Sequence, residues 1–316
     1  MAGTQEPHPA PLIVDVKNNA LDDGPGIRTV IFFKGCPLRC GWCHNPEMLR
    51  RQVELGFDAA RCVGCDSCLT SCARAALSRT QPRVVDRAQC DLCLDCTAVC
   101  PSGALAAVGE ARSVEQLVAA ALGYQVFFDT SGGGVTLGGG EPTLFMDFLA
   151  ELARRLRVAG VHTLLQTCGL FDWERFAAEV LPHLDAVHFD LKLMDDAAHR
   201  RHCGASNQVI LDNFARLQAI AAGGGIDLLP RMPLVPGITD SEDNVRALAG
   251  YLREHGVRRA RLLDYNPLWT DKISRLGAVS ELAKRPELRR WLPREHVVRL
   301  EGILQRAGIE TGEGAR

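Results

Sequence analysis

The sequence has little net charge and no long apolar run. Its formal net charge at neutral pH is −2, which gives no electrostatic case for a nucleic acid as the main partner. No apolar run approaches the roughly 18 residues needed to cross a bilayer, and the start, MAGTQEPHPAP, lacks the basic and apolar regions of a secretory signal. We therefore expect a cytoplasmic protein that binds neither nucleic acid nor membrane.

Cysteine, by contrast, is abundant. The chain has 13 cysteines among 316 residues, and 11 of them fall between Cys36 and Cys100. In a reducing cytoplasm, such a concentration of thiols indicates metal binding more often than disulfide bonds. The distribution therefore predicts metal centres in the first third of the chain.

The first three cysteines lie on one short loop. Cys36, Cys40 and Cys43 have the spacing C-x3-C-x2-C and follow the apolar run 29–33. Three thiolates can hold three irons of a [4Fe-4S] cube, and no fourth cysteine follows at the spacing of a fully ligated electron-transfer cluster. One iron would then be open to another ligand. A zinc site is the alternative, but zinc usually takes four closed ligands, and His44 lies too close to Cys43 to serve easily.

Residues 54–108 form a compositionally distinct inserted module with eight cysteines. They make a tandem repeat, each half spaced C-x2-C-x2-C-x3-C, with Pro101 after the second half. This is the run of bacterial two-cluster ferredoxins, in which the fourth cysteine of each half binds the other half's cluster. A pair of zinc knuckles is the alternative. The predicted ligand sets are Cys62, Cys65, Cys68 and Cys100 for one cube, and Cys90, Cys93, Cys96 and Cys72 for the other.

The rest of the chain alternates strand-like and helix-like segments, which indicates a parallel sheet with helices outside it. We therefore predict an α/β fold, an incomplete (β/α)6 barrel formed by residues 12–53 and 109–316, with 1–11 as a disordered tail. The predicted strands are 29–33, 135–137, 162–166, 186–191, 226–232 and 261–265. The predicted helices are 114–122, 144–156, 173–181, 209–222, 241–255 and 294–307.

Two short motifs follow predicted strands, at the end of a barrel where active sites lie. One is GGGEP at 138–142, in which glycines let the backbone approach a ligand closely and Glu141 can accept from an ammonium group. The other is Asp190-Leu191-Lys192, whose two charged side chains point to the same face of an extended chain. Taken alone, the first could be a plain turn and the second a surface ion pair.

Together the motifs resemble the radical S-adenosylmethionine (SAM) superfamily and, within it, the glycyl radical enzyme activating enzymes. The resemblance covers nearly the whole chain from about Val14. It implies a radical SAM barrel, and the two-cluster insert resembles the ferredoxin-like domain found in a large subset of the family. The stretches that carry it are DGPGIRTVIFFKGCPLRCGWCHNPE, SGGGVTLGGGEP, DLKLMDDAAHRRHCGASNQVILDN and RMPLVPGITD.

The resemblance implies an activity. Such enzymes bind SAM on the three-cysteine cluster and inject one electron into its sulfonium, which yields methionine and a 5′-deoxyadenosyl radical. That radical takes hydrogen from the Cα of one glycine in a partner enzyme. The implied cofactors are three [4Fe-4S] clusters and SAM. The implied partners are a glycyl radical enzyme, whose C-terminal glycine loop is the substrate, and flavodoxin or ferredoxin as electron donor.

The resemblance also assigns site residues, beginning with Cys36, Cys40 and Cys43 as the catalytic cysteines. Asp23 and Gly24, in the DGPG turn, would contact the partner's peptide. The residues around SAM would be Trp42, Cys43 and His44 on the adenine side, Gly140 and Glu141 at the methionine, and Asp190, Leu191 and Lys192 at the ribose and carboxylate. Arg231 would lie on a neighbouring strand, towards SAM or the incoming glycine loop.

The chain departs from the family pattern in places. Gly138 stands where serine is usual, and Gln166 stands where the best-known member has an acid that helps hold a monovalent cation, which argues against that cation site here. Asn266 replaces a histidine that contacts SAM in some members, and it can still donate a hydrogen bond. Cys168 and Cys203 lie outside the cluster motifs, and we expect both to be small buried hydrophobic residues.

Two other functions are alternatives. A radical SAM enzyme with a different substrate would share the cysteine loop, but the DGPG, DLK and RMPLVPG segments all agree with one subfamily. A multi-cluster electron carrier, which is not an enzyme, would suit the ferredoxin repeat but has no use for an open iron or for GGGEP. Stoichiometric SAM cleavage after reduction would exclude the carrier.

Overall fold

The computed structural model of the chain describes residues 10–80, 84–278 and 280–311. Residues 1–9, most of the predicted tail, lie outside this description. The first described residues, Ala10 and Pro11, lead directly into a strand.

An eight-stranded sheet is the frame of the molecule. The described residues form ten strands: β1 (Leu12–Ala20), β2 (Arg28–Phe33), β3 (Glu54–Phe57), β4 (Leu105–Val108), β5 (Glu110–Ala111), β6 (Gly134–Gly139), β7 (Thr163–Thr167), β8 (Ala186–Asp190), β9 (Asp227–Pro233) and β10 (Arg261–Leu263). Strands β2, β6, β7, β8, β9 and β10 lie side by side in chain order, and every neighbouring pair is parallel. All six predicted strands are therefore present, in the arrangement of an incomplete barrel.

Helices connect the parallel strands. The described residues form eleven: α1 (Ser67–Ser71), α2 (Asp95–Ala98), α3 (Val114–Leu122), α4 (Gln125–Ser131), α5 (Met146–Val158), α6 (Trp173–Arg175), α7 (Asp196–Cys203), α8 (Gln208–Ala222), α9 (Glu242–Glu254), α10 (Trp269–Arg275) and α11 (Arg294–Arg306). Helix α6 continues into a π-helical turn, Phe176–Val180. Helix α3 begins with a capping box, because Ser113 and Gln116 bond each other's backbone amides. Among the described helices, none is long and apolar enough to cross a membrane.

The helices cover one face of the sheet and leave the other open. Right-handed crossovers between strands added in one direction place every helix on the same face. Alternate strand side chains, such as Leu137, Leu165 and Val187, point into the main hydrophobic core with these helices. Their neighbours in sequence therefore point to the opposite, concave face. The residues that carry polar groups there include Gln166 and His188, which are paired across β7 and β8.

One edge of the sheet was not predicted. Strand β1 pairs antiparallel with β2, and β5 adds a short antiparallel strand outside it. In β1 the buried residue Ile13 is followed by Asp15, Lys17 and two asparagines, so its second half lacks the apolar pattern of a strand. The pairing with the apolar β2 supplies the hydrogen bonds that hold it.

The insert 54–108 has its own small sheet and core. Strands β3 and β4 pair with each other and not with the main sheet, and helices α1 and α2 each follow a residue with positive φ, Asp66 and Leu94. The buried apolar core of this part is small, and cysteines contribute to it. Its buried members are Leu55, Cys68, Leu77, Cys96 and Leu105.

Candidate active site

The three-cysteine loop begins where β2 ends. Gly35, at φ +117°, turns the chain, and its amide donates to the Met48 carbonyl (2.8 Å). Cys40 is buried, whereas Cys36 and Cys43 are partly exposed. The thiol of Cys43 itself is poorly hydrated, which raises its pKa to about 12, so a metal that binds it as thiolate must displace a proton. The loop presents three thiols in largely apolar surroundings, which suits an iron–sulfur cluster.

Two further cysteines come to this loop. Cys168, directly after β7, and Cys203, at the end of α7, lie in the same hydrophobic cluster as Cys36, Cys40 and Cys43. The Arg39 amide also donates to the Cys203 carbonyl (2.7 Å). Both cysteines are buried as expected, and both pack in the cluster around the cysteine loop. The sequence contains no local signal for this, because the elements that meet here lie far apart along the chain.

The GGGEP turn packs against the cysteine loop. The Glu141 amide donates to the Gly35 carbonyl (2.7 Å), and a Cβ on Gly140 would collide with that same carbonyl. The Glu141 carboxylate is fully buried and accepts from the Cys168 amide (2.7 Å) and the Thr167 hydroxyl (2.9 Å). The Glu141 side chain thus links the end of β6 to the end of β7. Its contact with the methionine of SAM stays a prediction.

A charged network lies on the concave face at the ends of β8 and β9. Arg231 donates twice to one oxygen of Asp190 (2.8 and 3.0 Å), and Lys192 donates to the other (2.9 Å). Burial acts to raise the pKa of Asp190, but Arg231 and Lys192 outweigh it and lower that pKa to about 2. Two cations and one carboxylate leave a net positive charge, which suits an anionic group of a ligand.

His188 completes this network. Burial, and then Arg231, lower the pKa of His188 to about 2, so the ring is neutral at pH 7. Its Nδ1 lies 3.3 Å from Nη1 of Arg231. Because a guanidinium only donates, Nδ1 is the acceptor and the ring proton is on Nε2. His188 was not predicted, since a lone histidine inside an apolar strand gives no signal of its own.

The predicted adenine side is mostly buried. Trp42 is buried, and the His44 ring packs edge-on against Tyr265 with centroids 5.3 Å apart. Burial, then Lys272 and Lys192, lower the pKa of His44 to about 4, so this ring is also neutral at pH 7. Its Nε2 is buried without a hydrogen-bond partner in the described structure. A buried ring nitrogen of this kind fits a ligand that supplies the missing bond.

Two other predicted SAM contacts are engaged within the protein. Leu191 is buried, and its amide donates to the Arg231 carbonyl (2.8 Å), which extends the pairing of β8 with β9. Asn266 is exposed and accepts from the Leu268 amide (3.0 Å) in the turn before α10. Asn266 therefore serves a local turn, and its contact with SAM stays a prediction.

The DGPG turn folds onto the concave face. The Asp23 carbonyl accepts from the Thr136 hydroxyl (2.8 Å), and the Asp23 carboxylate from the Gln166 amide (3.4 Å). Gly24 has φ +140°, and a Cβ there would lie 2.7 Å from the side chain of the fully buried Arg28. Only glycine fits this position. The turn is therefore fixed on the open side of the sheet, and its contact with the partner's peptide stays a prediction.

The insert gathers its eight cysteines around two cavities. One cavity is lined by Cys62, Cys65, Cys68 and Cys100, and the other by Cys72, Cys90, Cys93 and Cys96. These groups coincide with the sets that the tandem spacing predicts. Within the described ranges, no three or more His, Cys, Asp or Glu side chains are placed to hold a single metal ion. Thiols spaced around a cavity, by contrast, suit a multi-iron cube.

A wider cleft lies between the insert and the barrel. It is lined by Cys40 and Cys43 of the cysteine loop, by Cys90 of the insert, and by Trp269 and Ile273 of α10. The cavity of the second cysteine set therefore opens beside the three-cysteine loop.

Comparison with known proteins identifies the family. A profile of the radical SAM superfamily matches residues 96–249, and one of a 4Fe-4S single cluster domain matches residues 22–78. The chain is 41% identical over 264 residues to the isethionate sulfite-lyase activating enzyme of Nitratidesulfovibrio vulgaris, covering 82% of this chain and 85% of that protein. It is 37% identical to the benzylsuccinate synthase activating enzyme of Thauera aromatica, covering 84% and 82% of the two chains. The chain belongs to the glycyl radical enzyme activating enzymes.

The fold of this activating enzyme is also found in a solved structure. The crystal structure of a radical SAM methyltransferase from Sphaerobacter thermophilus matches with a TM-score of 0.52 at 17% identity, covering 95% of this chain and 76% of that chain. At this identity the match shows a shared fold, not a shared reaction.

These findings confirm several expectations. The protein is a radical SAM activating enzyme with an α/β radical SAM fold and a mostly parallel sheet. Its cofactors include an iron–sulfur cluster and SAM, and its partner is of the glycyl radical enzyme kind. The single-cluster profile ends at residue 78 and the superfamily profile begins at residue 96, both inside the insert, so the two-cluster domain remains a prediction.

Proposed function

We propose that the activating enzyme binds SAM against a cluster held by Cys36, Cys40 and Cys43 and cleaves it reductively. The resulting 5′-deoxyadenosyl radical takes a hydrogen atom from a glycine Cα of the partner. One observation carries the proposal: the cysteine loop, the GGGEP turn and the Asp190–Lys192–Arg231 network meet at one end of the parallel sheet. This is the end at which barrel enzymes carry their active sites.

When bound, the cluster supplies one electron to the sulfonium and an open iron that holds the methionine part of SAM. The protein residues do the rest of the positioning. The net positive charge of the Asp190–Lys192–Arg231 network attracts the SAM carboxylate, and the buried Nε2 of His44 is available to the adenine. Because His44 is neutral at pH 7, it offers one donor and one acceptor nitrogen.

We further propose that residues 54–108 are a ferredoxin-like domain with two more [4Fe-4S] clusters. The support is that the interleaved cysteine sets line separate cavities. The cavity of Cys90 lies beside the cleft that Cys40 and Cys43 also line. Clusters held by these two cysteine sets would supply electron transfer from flavodoxin or ferredoxin towards the three-cysteine loop, beside which the set containing Cys90 lies.

The partner's glycine loop would enter along the concave face and meet Asp23 and Gly24. These two residues lie on that face with their backbone held by Thr136, so a peptide can bind without rearranging the turn. We still predict, from composition, that the enzyme binds neither nucleic acid nor membrane and that it is cytoplasmic.

The test uses protein reconstituted with iron and sulfide under anaerobic conditions, reduced with dithionite and given SAM. Substrates are a synthetic glycine-loop peptide, deuterated at the glycine Cα, and two full-length partners, isethionate sulfite-lyase and benzylsuccinate synthase. We expect deuterium from the peptide in the 5′-deoxyadenosine that is formed from SAM, or a glycyl radical signal in one of the full-length proteins.

Two variants sharpen the test. Cys40→Ala should abolish 5′-deoxyadenosine formation, whereas Cys93→Ala, in the insert, should retain it with dithionite as reductant. Unlabelled 5′-deoxyadenosine with no glycyl radical would keep SAM cleavage but overturn glycine as the target. No product from protein that holds about twelve irons would favour an electron carrier instead.

A further inference from the structure

The segment Lys192–Met194 follows β8 and, in the described structure, belongs to no helix or strand. The Leu191 amide just before it still pairs with β9, but the chain then leaves the sheet. The segment is nevertheless well covered, because Leu193 is 5% exposed and the Lys192 side chain 12%. Backbone groups in such a place need hydrogen-bond partners, and secondary structure does not supply them here.

Two asparagine side chains supply these partners. Asn207 donates to the carbonyls of Leu193 (3.0 Å) and Met194 (2.8 Å). Asn244 donates to the Lys192 carbonyl (3.2 Å) and accepts from the Met194 amide (2.9 Å). All three carbonyls and one amide of the segment are therefore bonded to these two side chains.

Both asparagines act across the barrel rather than within their own helices. Asn207 is the N-cap residue of α8, a position at which asparagine ordinarily accepts from amides of its own helix. Within the described part of the chain, its side chain makes no such bond. Asn244, in the first turn of α9, also donates to the Thr239 carbonyl in the loop after β9 (3.0 Å). Asn244 thus joins the loops that follow the strands of Asp190 and Arg231.

We propose that Asn207 and Asn244 are positioning residues, which fix the Lys192 backbone so that its ammonium group is held ready for the carboxylate of SAM. A free lysine side chain loses much rotamer entropy when it is ordered by a ligand. Here the held backbone and the bond from Lys192 to Asp190 (2.9 Å) order it beforehand, which lowers the cost of binding. The inference rests on the proposed contact between Lys192 and SAM.

The first measurement needs no SAM. Hydrogen exchange of the reconstituted full-length protein should show the Met194 amide exchanging about threefold to tenfold faster in Asn244→Ala than in the wild type, because the change removes the acceptor of that amide. Unchanged exchange at Met194 would overturn the inference, since the segment would then be held by other contacts.

The second measurement is the Kd for SAM, determined by equilibrium dialysis before reduction. Asn207→Ala and Asn244→Ala should each raise this Kd about threefold to tenfold, with the KM for the glycine-loop peptide unchanged. Tyr251→Phe is the matched control, because its hydroxyl joins α9 to α8 by donating to the Leu211 carbonyl (2.7 Å). This change loosens the same two helices without touching the segment, and the Kd should stay at the wild-type value.

A double-mutant cycle with Lys192→Met shows whether the asparagines act through this lysine. Asn244 is the partner in the cycle because it is only partly buried. Lys192→Met alone should weaken SAM binding, and adding Asn244→Ala should then change the Kd by less than about twofold.

Three binding results would overturn the inference. They are a wild-type Kd in both asparagine variants, an equal rise in Tyr251→Phe, and losses that multiply in the double variant. By contrast, a wild-type Kd in Lys192→Met would count against the proposed contact between Lys192 and SAM, whatever the exchange at Met194.

Discussion

The barrel and the insert are stabilised in different ways. At the active end of the barrel, side chains from separate strands bond to one another, as Arg231 does to Asp190 and Thr167 does to Glu141. These bonds lie over an extensive apolar core shared by the sheet and its helices. The core of the insert is far smaller, and Cys68 and Cys96 are two of its five buried members. The comparison indicates that the barrel site is formed by protein contacts, whereas the insert depends on what its cysteines bind.

Size explains this dependence. Small domains bury too little apolar surface to offset the entropy of ordering the chain, and they commonly use metals or disulfides instead. No disulfide joins the described cysteines. Metal binding to such a site therefore contributes directly to its folding free energy.

The largest expected effect is that of iron removal. Protein stripped of iron by a chelator should lose the ordered structure of 54–108 while the barrel stays folded, because only the insert lacks a sufficient core. Limited proteolysis with mass spectrometry checks this, and cleavage should concentrate within the insert. Cleavage spread equally over β6 to β9 would contradict the comparison, and so would an insert that stays resistant.

A large effect confined to the barrel is expected from Asp190→Ala. The change leaves Arg231 and Lys192 as two neighbouring buried cations without a carboxylate, and loss of one member of a buried network costs about 3–5 kcal/mol. Denaturant unfolding of the barrel measures the loss. Asp227→Ala is the matched control, because the pair Asp227–Arg259 is largely exposed and should contribute less than about 1 kcal/mol.

The pH dependence of Asp190 provides a second readout. Its pKa in the folded protein is about 2, below the ordinary value of about 3.9. A depressed carboxyl pKa stabilises the folded state above the ordinary value and loses this contribution as the pH falls from about 4 to about 2. The difference in unfolding free energy between wild type and Asp190→Ala should therefore shrink over this window in iron-free protein. A constant difference would show that the charge of Asp190 is not its source.

The sequence predicted the strands and helices that have clear periodicity, and it predicted which loops carry the site. It did not predict β1, because polar residues such as Lys17 and Asn18 interrupt the apolar pattern that is typical of a strand. It also placed Asp190 and Arg231 on neighbouring strands without pairing them, since the register of β8 and β9 decides that Asp190 faces Arg231.

Cys168 and Cys203 show the same limit more clearly. Composition and spacing identify cysteines that cluster along the chain, and these two are isolated in sequence. Only the packing of β7 and α7 near the cysteine loop brings them into the hydrophobic cluster that holds Cys36 and Cys40. Contacts made by tertiary packing between distant residues leave no local pattern to find.

A smaller effect is expected at the joint, by which we mean the contacts between the barrel and the insert. Lys34, at the end of β2, is fully buried and donates to Glu54 of the insert (2.7 Å) and to the Glu47 carbonyl (2.6 Å). Lys34→Met removes a charged donor from both acceptors, which should cost about 2 kcal/mol. Relative to the wild type, hydrogen exchange of this variant should show a larger loss of protection in β3 than in β6. The exposed Lys17→Met is the control, and equal loss of protection in both strands would mean that Lys34 does not serve the joint.

Arg275 makes a more exposed bond across the joint, and its loss should matter least of the changes considered. It belongs to α10 and lies 3.1 Å from Asp58 of the insert, with its own side chain 55% exposed. Water and salt screen such a pair, and fixing two side chains costs entropy, so Arg275→Ala should cost less than about 1 kcal/mol and less still at high salt. Hydrogen exchange of β3 at low and high ionic strength measures this directly. The contrary result is that Arg275→Ala reduces the protection of β3 as much as Lys34→Met does at every salt concentration. In that case the exposed ion pair would stabilise the insert as much as the buried lysine does. The distinction between a buried and an exposed joint would then be wrong.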